Sequence, residues 1–115
     1  ENLSDKLRGL TNVRLFEAGD TLYFGGAEVR SFSVPHDAAD PVSYVVEAEG
    51  VRLGIACDMG KATSLGKMRL QHCHGLVLES NYCPDMLMQS SYPAAIRSRI
   101  HGAHGHLSNR DACSL

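Results

Sequence analysis

The order of apolar runs and turns along this 115-residue chain predicts an α/β fold, a layered sheet with helices on at least one face. Three observations carry that prediction. Two β-rich pairs break at glycine, one at Gly25-Gly26 and one at Gly50, as hairpins do. The run Leu53-Gly54-Ile55-Ala56-Cys57 is almost wholly apolar, as expected of a central strand covered on both faces. Beyond it the pattern changes to helix, strand, helix, helix.

Taken in order, Leu3, Leu7 and Leu10 are spaced like one face of a short helix, with Ser4 or Asp5 near its start and Gly9 near its end. Val13 to Phe16 is a short strand candidate. Thr21 to Phe24 and Ala27 to Val34 form the first hairpin, and Pro35, which has no amide to give a ladder, ends its second arm. Ser43 to Glu49 and Val51 to Cys57 form the second hairpin. Ala62 to Gln71 reads as a helix through Leu65, Met68 and Leu70, and Gly75 to Glu79 as another buried strand. Pro84 opens a short helix, and Tyr92-Pro93 opens one that runs to about Ile100.

A formal net charge of −2, with acidic and basic residues interspersed, leaves no basic field, so any nucleic acid must be gripped locally at a site. No apolar run approaches the roughly 20 residues of a spanning helix, and the first residues are no signal peptide, so the chain reads as soluble, with no membrane partner. Cys57, Cys73, Cys83 and Cys113 include no CxxC pair, which favours a reducing cytoplasm. Cys57 reads as a small buried filler at a strand end. His72-Cys73-His74 lacks the paired spacing of structural zinc sites. The chain begins without methionine and stops at Leu115 inside a first helical turn, so it reads as part of a longer protein.

Polar groups follow three predicted strands directly: His36 after Val34-Pro35, Asp58 after Cys57, and Glu79 with Asn81 after Leu78. Loops at one edge of an α/β sheet converge on a common crevice. The stretch Gly102-Ala103-His104-Gly105-His106-Leu107-Ser108-Asn109 returns to that edge, where Gly105 permits a tight turn and Ser108 or Asn109 can cap the next helix. Imidazole nitrogen with carboxylate oxygen suits zinc, manganese or iron, and Asp58 has two oxygens with which to bridge two cations. His72, His74 and His101 read as surface or core histidines. Arg97 and Arg99, two apart on a helix, point different ways, so at most one faces a site.

The ordered set Val-Pro-His36-Asp37-Ala, Cys-Asp58-Met-Gly, Leu-Glu79-Ser-Asn-Tyr82, Met-Leu-Met-Gln-Ser-Ser-Tyr-Pro, an Arg-x-Arg-Ile helix and Gly-His106-Leu-Ser-Asn resembles the metallo-β-lactamase-fold hydrolases. Within them it is most similar to the small bacterial exonuclease-like branch labelled YycJ/WalJ, from about Val13 onward. The resemblance implies that His36 completes a first metal site, Asp58 bridges two divalent ions, zinc or manganese, and His106 serves the second. It implies that Ser108 and Asn109 start a helix whose amides hold a substrate phosphate. Members of the branch often carry histidine where Tyr82 stands, so Tyr82 would protonate the leaving group from a higher intrinsic pKa. The family's His-x-His-x-Asp-His cluster is absent from this sequence.

Residues 1–115 therefore read as the C-terminal half of an αββα metallo-β-lactamase-type sandwich, a mixed sheet with helices on one face and an apolar face left for the N-terminal half. The function implied is a nuclease or other phosphodiesterase using a water activated by two metals, with nucleic acid as partner. The piece alone is expected to be inactive and to hold metal weakly or not at all, and a homo-oligomer is compatible with it. The alternatives are a thioester or lactone hydrolase of the same fold and a non-catalytic binding or assembly module.

Overall fold

The computed structural model of the protein describes residues 9–115. The expected helix through Leu3 and Leu7 lies outside the described residues. Five strands form one mixed sheet in sequence order: β1 (Thr21–Phe24), β2 (Ala27–Ser33), β3 (Val42–Ala48), β4 (Val51–Ala56) and β5 (Gly75–Leu78). The first four pair antiparallel, and β5 pairs parallel to β4. Both glycine hairpins form as read, with Gly25, Gly26 and Gly50 at positive φ.

A parallel neighbour cannot be reached by a tight turn, and helix α1 (Ser64–Leu70) supplies the crossover from β4 to β5. Thr63 caps it by accepting from the Gly66 amide at 3.0 Å. The predicted span Ala62 to Gln71 is trimmed because the cap residues leave helical geometry, Thr63 with extended backbone and Gln71 with ψ of 138°. Helices α2 (Pro84–Gln89), α3 (Ala94–His101) and α4 (Asn109–Ala112) complete the chain. Pro84 sits in the first turn of α2, and Pro93 precedes α3.

Phe32, Val34, Val45, Ala56, Met59, Leu70 and Leu107 form one buried cluster, with Leu78 and Cys73 packed against it. Strand register places Phe32, Val45, Ala56 and Leu78 on a single face, the one carrying α1. Leu22, Val29, Val46, Leu53, Ile55 and Val77 share the opposite face. Phe16 meets Tyr44 over part of that second face, with ring centroids 6.3 Å apart, yet Leu53 and Val77 stay exposed. The molecule is 18 Å through its shortest axis.

Three expectations are corrected. The strands expected to be covered on both faces are covered on one: Ala56 is buried on the α1 face, whereas Leu53 of β4 and Val77 of β5 stand exposed on the other. Cys57 is exposed, since Ala56 takes the inward position and alternation turns Cys57 outward. Val13 to Phe16 is not a strand: Leu15 is 83% exposed, and the segment that follows is fixed instead by the Ser31 hydroxyl against the Glu17 and Asp20 carbonyls. The four cysteines are free thiols, and no helix among the described residues is long and apolar enough to cross a membrane.

Candidate metal centre

The loops after β2, β4 and β5 and the loop after α3 meet at one edge of the sheet. The Gly60 amide donates to the Pro35 carbonyl at 2.8 Å, and the Asn81 amide to the Leu107 carbonyl at 3.1 Å. Tyr82 and Ser108 form an isolated parallel bridge. Two glycines allow this closeness. A Cβ on Gly60 would lie 2.6 Å from the Ala103 carbonyl oxygen, and one on Gly105 would lie 2.2 Å from that of Arg99. Leu107, fully buried in the core, anchors the last loop and fixes its neighbour His106.

Glu79 is the hub of the site. It is buried, and its carboxylate accepts from the Met59 amide (2.5 Å), the Leu107 amide (3.0 Å), the Asn81 side chain (2.8 Å) and Nδ1 of His106 (3.0 Å). A buried charge demands such compensation, and here the donors come from three separate loops. His36 donates from Nδ1 to the Gly105 carbonyl at 2.9 Å. Each imidazole thus has Nδ1 held by an oxygen acceptor, which leaves Nε2 as a basic nitrogen able to bind a cation. Their ring centroids are 5.4 Å apart.

Asp58 has φ of 55°, a left-handed conformation that aspartate tolerates better than most residues. Its Oδ1 lies 3.9 Å from His106 Nδ1. Asp58, Glu79 and His106 each bring one ligand-type atom within 4.8 Å of the others. His36 and Asp58 share the lining of a hollow of about 250 Å³. The donor set is two imidazoles and a solvent-facing carboxylate, with a buried carboxylate behind one imidazole, and that chemistry fits a divalent cation. Among the described residues the site offers no further imidazole from a His-x-His-x-Asp-His string.

The structure thus brings His36, Asp58 and His106 together. Glu79 is the member to which sequence reasoning gave no role; the signal was a carboxylate directly after the apolar run Leu76-Val77-Leu78, where a charge needs donors. The Tyr82 hydroxyl lies 3.1 Å from Nδ1 of His101, a histidine read as a bystander. Partial burial, with Asp111 and then Glu79 adding, pushes the Tyr82 phenol above its ordinary value. The Ser108 hydroxyl is engaged within α4, accepting from the Asp111 amide at 3.1 Å and donating to the Asp111 carboxylate at 2.8 Å. The Asn109 side chain lies against Ser80 Oγ at 2.8 Å.

No protein-family model matches the chain. It is 37% identical over 98 residues to the exodeoxyribonuclease YycJ of Bacillus anthracis, which covers 85% of this chain and 37% of that protein. It is 31% identical over 97 residues to the exodeoxyribonuclease WalJ of Streptococcus pneumoniae serotype 2, which covers 84% and 36%. The chain therefore spans a little over a third of the length of these curated relatives. Among solved structures, Zn²⁺-bound PqqB from Methylobacterium extorquens matches 79% of this chain and 35% of its own, with a TM-score of 0.57 and 22% identity. The chain is a homologue of the YycJ/WalJ exodeoxyribonucleases over about 85% of its length, and its fold is part of the metallo-β-lactamase fold that PqqB displays.

Proposed function

We propose that the chain is the C-terminal part of a metallo-β-lactamase-fold phosphodiesterase that cleaves nucleic acid with the help of two divalent cations, zinc or manganese. The observation that carries this reading is the meeting of two Nδ1-anchored imidazoles, His36 and His106, with Asp58 at one rim. The exodeoxyribonuclease relatives support the substrate class. When bound, divalent ions acidify water and take up negative charge on a phosphoryl group.

The chain's own residues do the rest. Glu79 orients His106 and keeps its Nε2 basic, the Gly105 carbonyl does the same for His36, and Asp58 offers two oxygens to the ions. Tyr82, protonated at neutral pH, serves as the proton donor to the leaving oxygen, with His101 holding its hydroxyl. Ser108 and Asn109 shape the substrate side of the rim from the start of α4. Asp37, Arg99 and His104 line the adjoining hollow, a polar surface with N–H donors that suits a phosphate-bearing substrate better than the acyl chain of a thioester or lactone. The bare sheet face is where the other half of an αββα sandwich packs.

The test is manganese- or zinc-dependent hydrolysis of an oligodeoxynucleotide by the chain together with a half that carries the His-x-His-x-Asp-His cluster. His106→Ala or Asp58→Asn is expected to lower activity by about 10²-fold or more. Activity that survives His106→Ala and Asp58→Ala combined overturns the reading.

A further inference from the structure

Arg97 and Arg99 of α3 have different fates. The Arg97 guanidinium is spent on the protein itself, donating to the carbonyls of Tyr92 (2.6 Å) and Ser90 (3.4 Å), and so ties α3 to the turn before it. Arg99 instead crosses to the loop after β2, where Nε (2.8 Å) and Nη2 (2.6 Å) both reach Oδ2 of Asp37. Asp37 directly follows His36. Arg99 is therefore tethered one residue from a candidate metal ligand.

The setting is a shallow, open depression at the rim of the candidate site. Arg99 lines a hollow of about 250 Å³ together with His36 and His106, and a wider one of about 570 Å³ with His36, Asp37 and His104. Its side chain is 71% exposed. A guanidinium has five N–H donors, and Asp37 takes one from Nε and one from Nη2, leaving three with no protein acceptor among the described residues. Held in place, always charged and with spare donors facing solvent, it has what a phosphate requires. Pairing with Asp37 lowers the Coulomb attraction for an anion but fixes the fork, so less rotamer entropy is lost on binding.

We propose that Arg99 is a substrate-binding residue: pinned by Asp37 in the hollow that His36 and His106 line, its guanidinium takes a non-scissile phosphate of the nucleic acid. This inference rests on the phosphodiesterase reading. Arg99 thereby sets a preference for polymeric phosphodiesters over small ones, because a substrate with a single phosphate has nothing to offer it.

The experiment compares hydrolysis of a short single-stranded oligodeoxynucleotide and of bis(p-nitrophenyl) phosphate by the intact metal-loaded protein. Arg99→Ala is expected to raise KM for the oligonucleotide about tenfold, the weight of one charge-assisted contact, and to reduce the salt slope of binding by about one. The fall in kcat is expected to stay within about threefold, and the KM effect on bis(p-nitrophenyl) phosphate to be several-fold smaller. Arg99→Lys, which keeps the charge and the stem but loses the fork, is expected to lie between, and guards against a misfolded alanine variant. Lys67→Ala, which removes one charge from α1 away from the hollow, is expected to leave both KM values in place. If the parent protein hydrolyses the oligonucleotide and Arg99→Ala shifts its KM by less than about twofold, the inference falls and the phosphodiesterase reading stands. A loss confined to kcat also overturns it, since Arg99 would then act through the metal site. If the parent protein does not hydrolyse the oligonucleotide at all, the reading fails and takes the inference with it.

Discussion

On one face of the sheet Phe32, Val45 and Ala56 are buried beneath α1 to 5% exposure or less, while on the other Val51, Leu53 and Val77 stand open at 58%, 37% and 48%. The covered face also carries Glu28, Arg30, Glu47 and Arg52 in register, so the open face is the more apolar of the two and hydrophobicity alone does not say which is covered. The difference is what lies above. α1 crosses the first face because β5 runs parallel to β4 and needs a helical return, whereas the second face, among the described residues, meets the segment before β1. An apolar strand thus states that it can be covered on both sides, not that its cover belongs to the same stretch of chain.

The sharpest way to break this contrast is mutation of matched residues on the two faces, read by urea denaturation of the chain. Phe32→Ala is expected to cost about 3–5 kcal/mol through lost burial and the cavity left behind. Glu79→Ala, at the rim where the covered face ends, is expected to cost about 3 kcal/mol because it strands the Met59 and Leu107 amides, and to abolish metal retention measured by elemental analysis of the assembled protein. Gly60→Ala is expected to cost about 1–3 kcal/mol by pushing the Asp58 loop off the Ala103 carbonyl. Val77→Thr on the open face is expected to change stability by about 0.5 kcal/mol or less. A Val77→Thr loss comparable to that of Phe32→Ala would show that the open face is covered in solution.

The smallest expected effect is alkaline. Tyr82 has a folded-state pKa above its unfolded value, so the fold favours the neutral phenol. Its contribution is intact below the ordinary tyrosine value near pH 10 and is lost as pH rises from there through the folded value. Ultraviolet titration of the phenolates should show a late-titrating group that disappears in Tyr82→Phe.

Much of this was legible in the residues. Glycine breaks mark both hairpins, Pro84 and Pro93 open two helices, and of the two candidate caps, Ser108 and Asn109, it is Ser108 that caps α4. Strand ends pointed to His36, Asp58 and Glu79 because an ionisable group after an apolar run must find water, a partner or a ligand. Sequence spacing could not show that Glu79 gathers donors from three loops, since hydrogen-bond partners 20 to 28 residues apart leave no local pattern. Nor could it say which of Arg97 and Arg99 faces the hollow, because that depends on how α3 is rotated against the loop after β2. Val13 to Phe16 was misread because β-prone residues form a strand only when a neighbour offers a ladder.

Gly60 lies directly against the backbone of Gly105. Two loops from distant parts of the polypeptide touch there through bare backbone, with no side chain between them to yield. A side chain at Gly60 must push the Asp58 loop and the Ala103–Gly105 backbone apart, and one at Gly105 must push that same backbone off the end of α3. The rim therefore behaves mechanically as a single piece, and accepted changes in one loop should arrive together with compensating changes in the other.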